Sequence, residues 1–184
     1  MSEKQESQTK GTEQNTVQVM DLDPNFKYKL SRVTGAEKTM LCYQCGTCTA
    51  DCPISRFSDS YRPRKLIRMA QLGLKKSVLS NDAIWLCASC FTCVDHCPQG
   101  VDISSIIRAL KNMAVEEGGM PALFKEQASN LLKTGYAFVV SDLRLKKREE
   151  SGLPPLPKGS AETVVKIFEI TGFSKLMQKE KKAA

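Results

Sequence analysis

All 8 cysteines of this chain fall in two short strings. The first holds Cys42, Cys45, Cys48 and Cys52 and ends in Pro53; the second holds Cys87, Cys90, Cys93 and Cys97 and ends in Pro98. Each reads CxxCxxCxxxCP. Three thiolates two residues apart can reach three corners of an iron–sulfur cubane from one tight loop, and the fourth ligand must arrive from elsewhere. Proline after the last cysteine redirects the chain, which aims that cysteine at the neighbouring cluster. The spacing therefore predicts two [4Fe–4S] clusters. One is held by Cys42, Cys45, Cys48 and Cys97, and the other by Cys87, Cys90, Cys93 and Cys52.

A shift of 45 residues superposes the two strings, including both prolines, Thr47 on Thr92 and Leu41 on Leu86. That internal repeat implies a pseudo-twofold pair of clusters held close together. Small residues inside the loops (Gly46, Thr47, Ala88, Ser89) leave room for backbone N–H groups beside cluster sulfurs, one of the means by which a protein sets a potential. Zinc sites or disulfides are the competing reading. Zinc ligands usually come as two separated pairs, and a third cysteine plus the CP ending has no role there. His96, the single histidine, is read as a polar neighbour of Cys97, because four cysteines per cluster are already supplied. Trp85, Tyr43 and Phe91 are read as packing that excludes water from the clusters. The basic series Arg56, Arg62, Arg64, Lys65 and Arg68 reads as a solvated helix face, as does the run Lys175 to Lys182.

The elements that must position these strings read as helices. Residues 1 to about 19 are polar and are expected to be a disordered tail. Asp23 and Pro24 predict the start of a short helix carrying Phe26, Leu30 and Val33, stopped at Gly35. Between the strings, Ser60 to Pro63 predicts a helix start, with Leu66, Ile67, Met69 and Ala70 on its apolar face and Gly73 at its end. Asn81 and Asp82 predict a cap for a second short helix, Ala83 to Leu86, that delivers Cys87. After the second string, Asp102 predicts the cap of a helix bearing Ile103, Ile106, Ile107, Leu110, Met113 and Ala114, ended by Gly118 and Gly119. Pro121 begins another, with Phe124, Ala128, Leu131 and Leu132 in register and Gly135 as its stop. Tyr136 to Val140 reads as strand or buried coil. Leu143 to Gly159 reads as a charged, proline-rich connector before a last helical segment, Ser160 to Lys179, broken at Gly172. The fold expected is all-α, with additional C-terminal helices. Its units are a tail (1–19), a cluster domain (20–119) and a C-terminal helical extension for subunit docking (120–184).

Composition bounds the function. No stretch approaches the roughly 18 apolar residues that a membrane helix needs, and residues 1–18 are polar where a signal peptide would be apolar. A cytoplasmic, reducing location is expected, with no membrane insertion. The formal charge of +7 would suit nucleic acid, but it counts every cysteine as neutral. Eight thiolates and two oxidised cluster cores together contribute roughly −4, so the basic excess largely offsets the clusters. No glycine-rich nucleotide loop follows a strand, and no nucleophile, base and orienter occur together. Fully cysteine-ligated cubanes leave no iron open for substrate. A relay of single electrons, with the chemistry on other subunits, is the function class this leaves.

The strings LCYQCGTCTADCPISR (41–56) and WLCASCFTCVDHCPQGVDI (85–103) closely resemble the C subunit of the heterodisulfide reductases of methanogenic archaea and related anaerobes. The resemblance implies an α-helical ferredoxin fold with two [4Fe–4S] clusters. It also implies electron transfer from the flavin-containing A subunit of heterodisulfide reductase to its catalytic B subunit, which reduces the disulfide of coenzyme M and coenzyme B. A hydrogenase or formate dehydrogenase would belong to the larger assembly. The cysteine-rich CCG motifs of the catalytic subunit are absent here. Two alternatives carry over to the structure. One is the iron–sulfur subunit of another anaerobic oxidoreductase, of the succinate, fumarate, glycerol-phosphate or lactate type. The other is a non-redox module built on zinc or on structural clusters.

Overall fold

The computed structural model describes residues 17–157 and 159–179. Most of the expected tail lies outside the described residues, as does the end of the Lys175 to Lys182 run. The last tail positions are exposed and lead into a 3-10 turn, Val19–Asp21. Among the described residues every regular element is helical, as expected of an all-α chain.

Helix α1 spans Phe26–Ser31. It starts two residues later than the Asp23–Pro24 signal predicts. The Asp23 carboxylate caps the turn ahead of the helix, accepting from Asn25 N at 3.0 Å and from Lys29 Nζ at 3.3 Å. Phe26 and Leu30, one turn apart, are fully buried. A 3-10 turn, Glu37–Leu41, then delivers Cys42, and inside the first string a single turn forms α2, Thr47–Ala50.

Helix α3, Pro63–Gln71, has proline at its first position and buries Leu66, Ile67 and Ala70. Gly73 follows it at φ +79°, where its carbonyl accepts from Asp23 N at 2.8 Å; a Cβ there would collide with the Asp23 carbonyl. Glycine is the residue that lets the entry to α1 close onto the end of α3. Helix α4, Lys75–Leu79, has no counterpart among the elements expected from the sequence, because only Val78 and Leu79 point inward and one turn carries no period. The capped helix at Ala83 is found as a 3-10 turn, Asp82–Leu86, with Asn81 Oδ1 accepting from Ala83 N at 2.9 Å.

In the second string α5, Thr92–Asp95, repeats α2, and the two short helices pack together. Helix α6, Ile103–Glu116, is the central element, in contact with α1, α3, α4, α5 and the Asp82–Leu86 turn. Asp102 caps it, accepting from Ser105 N at 2.8 Å, and Ile106, Ile107 and Leu110 are fully buried against α3 and α4.

The C-terminal helices are α7 (Ala122–Thr134), α8 (Asp142–Glu150), α9 (Ala161–Ile170) and α10 (Phe173–Met177). Here α7 packs on α9, and α9 on α10 through Phe168 and Phe173 at 4.8 Å. Gly135 and Gly172 end helices in the left-handed conformation, as expected. Two expectations fail. The charged half of the connector is helix α8, built from strong helix formers with Asp142 in its first turn and Lys147 and Arg148 in its last. Tyr136 to Val140 is neither strand nor buried: it has no pairing partner, and Phe138 and Val139 are 66% and 70% exposed.

Candidate metal centre

Both strings use the same backbone device. The residue two after the first cysteine is left-handed (Gln44 at φ +69°, Ser89 at +52°), and so is the residue four after it (Gly46 at +94°, Phe91 at +63°). Two such reversals curl each loop ahead of α2 or α5, whose second residue is the third cysteine of the string. For a residue with a Cβ this region costs about 1–2 kcal/mol, so three non-glycine examples at four positions are held by their surroundings. The 45-residue repeat seen in the sequence is thus also a repeat of conformation.

All eight cysteines are free thiols. Cys52 forms one wall with Cys87, Cys90 and Cys93 around a cavity also lined by Ile54, Tyr61, Pro63 and Phe91. Burial pushes the Cys93 thiol up to about 12, and Cys87, Cys48, Cys90 and Cys52 add to the rise. In the other half, burial pushes Cys48 up to about 11, with Cys42, Cys45 and Cys97 as the neighbouring sulfurs. Thr49 offsets part of that rise, and at the equivalent place beside Cys93 stands Val94, which has no donor. Cys42, Cys45 and Cys97 thus neighbour Cys48, while Cys87, Cys90 and Cys52 neighbour Cys93, and Cys48 and Cys93 lie near one another.

The outer thiols behave oppositely. The Thr47 hydroxyl lies 3.5 Å from Cys45 Sγ and holds that thiol below its ordinary value; Thr92 does the same for Cys90 at 3.5 Å. Each string therefore has one surface thiol shifted toward the thiolate and one interior thiol whose charged form is disfavoured until a metal core compensates its charge. Val101 N donates to Cys97 Sγ at 3.3 Å, and Gln44 Nε2 to Cys42 Sγ at 3.4 Å.

These residues fit a cubane. Soft thiol donors surround an apolar-walled space, with backbone and side-chain donors aimed at sulfur. Among the described residues no three His, Cys, Asp or Glu side chains converge closely enough for a single metal ion, whereas a cubane takes its thiolates at separate corners.

Other expected residues are redistributed. His96 Nδ1 lies 2.7 Å from Asp51 Oδ2, and these two residues are themselves equivalent in the repeat, so the pair bridges the strings across the pseudo-twofold axis. Spacing alone hides such a contact. Trp85 packs against Phe124 at 5.4 Å; Tyr43 and Phe91 are 60% and 47% exposed, and Phe91 lines the cavity beside Cys87, Cys90 and Cys93. The buried aromatic beside the second string is Tyr61, which is 2% exposed and faces Cys87, with burial and that sulfur both pushing its hydroxyl up. Two further residues escape a reading of the sequence. Gln71 Nε2 donates to the Cys42 carbonyl at 3.0 Å, and Lys111 Nζ to the Cys87 carbonyl at 3.1 Å. Each lies on the helix after its string, a full helix length away, and only a polar residue on an otherwise apolar face could have flagged it. Of the basic series, Arg56, Arg64, Lys65 and Arg68 are exposed, and Arg62 pairs with Asp59 at 2.5 Å.

Comparison with known proteins agrees with this chemistry. Residues 38–101 match the 4Fe-4S dicluster domain family, so the cofactors are two [4Fe–4S] clusters. The chain is 34% identical over 171 residues to the C subunit of the H(2):CoB-CoM heterodisulfide,ferredoxin reductase of Methanothermobacter thermautotrophicus, covering 90% of this chain and 91% of that one. It is 36% identical over 170 residues to the iron-sulfur C subunit of the CoB–CoM heterodisulfide reductase of Methanopyrus kandleri, covering 85% and 88%. With the second such iron-sulfur C subunit of Methanocaldococcus jannaschii it shares 42% over 146 residues, covering 74% and 77%. With its duplicated cysteine strings, its helical frame and relatives aligned over nine-tenths of its length, the chain belongs to the family of heterodisulfide reductase C subunits, the iron–sulfur subunits of an oxidoreductase complex.

Proposed function

We propose that this chain relays electrons from a flavin-containing A subunit to a catalytic B subunit that reduces the coenzyme M–coenzyme B disulfide in methanogenesis. When bound, the [4Fe–4S] clusters supply one-electron acceptor and donor chemistry. The observation that carries the reading is the grouping of the eight thiols into two crossed sets, which supports Cys42, Cys45, Cys48 and Cys97 as the ligands of one cluster and Cys87, Cys90, Cys93 and Cys52 as those of the other. Crossing makes each string part of both sites. Cys48 and Cys52, 8% and 7% exposed, stand at the shared interior, while Cys45 and Cys90 reach the surface. Water is excluded where the two sites adjoin, and each site has one exposed edge.

Those edges suit electron entry and exit. Tyr43 rims the first beside exposed Cys45 and Phe91 the second beside exposed Cys90, and Leu41 and Leu86, also exposed, precede Cys42 and Cys87 in the chain. Such rims bury well against partner subunits. Residues 120–184 are proposed to dock a partner of the complex as well. Phe138, Val139, Leu145 and Leu153 are exposed around a groove between α8 and the segments on either side of it, and the cluster-holding helices do not need that surface. No helix among the described residues is long and apolar enough to cross a membrane, and a reducing cytoplasm suits eight thiolates.

Replacing Cys97 by Ala in the purified complex tests the grouping. The EPR signal of the cluster with Cys42, Cys45 and Cys48 is expected to be lost or altered, and disulfide reduction with it. Damage confined to the other cluster refutes the assignment. Truncation after residue 141 tests the docking surface: complex assembly is expected to weaken, and an intact complex counts against it.

A further inference from the structure

Two strings related by a 45-residue repeat offer two equivalent first cysteines, Cys42 and Cys87, yet their sulfurs have different company. Gln44 Nε2 donates to Cys42 Sγ at 3.4 Å and also to Gln71 Oε1 at 3.4 Å. Gln71 Nε2 in turn donates to the Thr39 and Cys42 carbonyls, each at 3.0 Å. The orientation of both amides follows from chemistry. Two carbonyls can only accept, so Gln71 must turn its NH2 group toward them, and its oxygen then faces Gln44. Gln44 must answer with its own NH2 group, which leaves a hydrogen for the sulfur. The Gln44 backbone sits in the left-handed region, where a side chain with a Cβ is costly, and the engaged amide is what that conformation places. At Cys87 none of this recurs. The position of Gln44 is taken by Ser89, the sulfur faces the Tyr61 hydroxyl, and the carbonyl is met by the ammonium of Lys111.

We propose that Gln71 and Gln44 form a positioning relay that raises the reduction potential of the Cys42-containing cluster alone. An N–H aimed at a ligand sulfur strengthens as the sulfur gains negative charge, so it favours the reduced state. Gln71 acts through Gln44 by holding the amide in line. The relay makes two sites of the same ligand spacing electronically different. It rests on that part of the proposed function which makes Cys42 a ligand of one of the two clusters.

The test is redox-titrated EPR of the full-length chain in its purified complex. Gln44→Gly removes the donor and accepts the backbone conformation; Gln71→Leu keeps the donor and removes its support. Gln44→Gly is expected to lower the midpoint of one signal by on the order of tenfold in the one-electron equilibrium, about 59 mV, and to leave the other in place. Gln71→Leu moves the same signal in the same direction, and the double variant moves it no further than Gln44→Gly. A purely structural pair would reduce melting temperature or cluster content with both midpoints unmoved, and that result overturns the proposal, as do additive shifts. Cys97→Ser separates the two ideas. If it alters the signal that Gln44→Gly shifts, relay and grouping both stand. If it alters the other signal, the relay stands and the grouping falls. If it alters one signal while Gln44→Gly shifts neither, the grouping stands and the relay falls.

Discussion

Lys111→Met should lower the reduction potential of the cluster held with Cys87 and leave its partner nearly unchanged. Lys111 reaches from α6 to donate to the Cys87 carbonyl at 3.1 Å, with its amine 6.0 Å from the Trp85 ring centroid, and it is only half-exposed. For a separation on the order of 8 Å and an effective dielectric constant of about 20, a unit positive charge favours addition of an electron by about 2 kcal/mol. With partial screening by solvent and salt, the expected fall is about 50–90 mV, taking about 59 mV per tenfold change in a one-electron equilibrium. Met keeps the apolar stem that covers Trp85, so folding should weaken by only about 1 kcal/mol for the lost hydrogen bond. The assay is redox-titrated EPR of the intact complex, with Lys111→Arg as the charge-preserving control. Equal shifts of both signals, or no shift beyond that of the Arg variant, refute the electrostatic reasoning, because the ammonium's hydrogen bond is to the second string, at the Cys87 carbonyl.

Five further outcomes follow. Phe91→Gly should raise the melting temperature by the equivalent of about 1 kcal/mol, since it relieves a left-handed residue whose ring is half exposed. Its repeat equivalent Gly46→Ala should cost about 1–2 kcal/mol from backbone strain alone, because the nearest heavy atom to the new Cβ is the Arg64 side chain at 3.6 Å. Ile106→Ala, in the fully buried centre of α6, should cost about 2–5 kcal/mol, read from the denaturation midpoint of the loaded protein. In the cluster-free chain, the Cys48 and Cys93 thiols are raised from 9.0 to about 11 and about 12. Their contribution to stability is therefore present below pH 9 and is lost as pH rises through those values. Cluster loading has the opposite sign: it needs thiolates, so it should release protons and weaken as pH falls, as measured by proton release during reconstitution.

Helices whose apolar faces repeat over several turns were legible in the chain. Asp102 with Ile103, Ile106, Ile107 and Leu110 announces α6, and Pro63 with Leu66, Ile67 and Ala70 announces α3, because cap chemistry and a 3.6-residue period both act within a few residues. Single turns were legible only where a cap marks them, as Asn81 does for Asp82–Leu86. Helix α4 and the turns inside the cysteine strings are too short to carry a period, and they form because the surrounding core and loops hold them. Tyr136 to Val140 misled for a related reason: β-branched and aromatic residues suit a strand only where a partner strand exists, and among the described residues there is none.

By itself the sequence determined the ligand chemistry. Cysteine identity and spacing are covalent facts, and the repeat of CxxCxxCxxxCP was enough to predict two clusters and the resemblance to the heterodisulfide reductase C subunits. Only the tertiary structure decided what surrounds each sulfur. Gln71 is 29 residues from Cys42, Lys111 is 24 from Cys87, and His96 is 45 from Asp51. Those contacts depend on how α3 and α6 lie against the loops. Hydrogen bonds and charges act over a few ångströms of space and take no account of distance along the chain, so two strings with the same ligand spacing acquire different electrostatic surroundings only once the chain has folded.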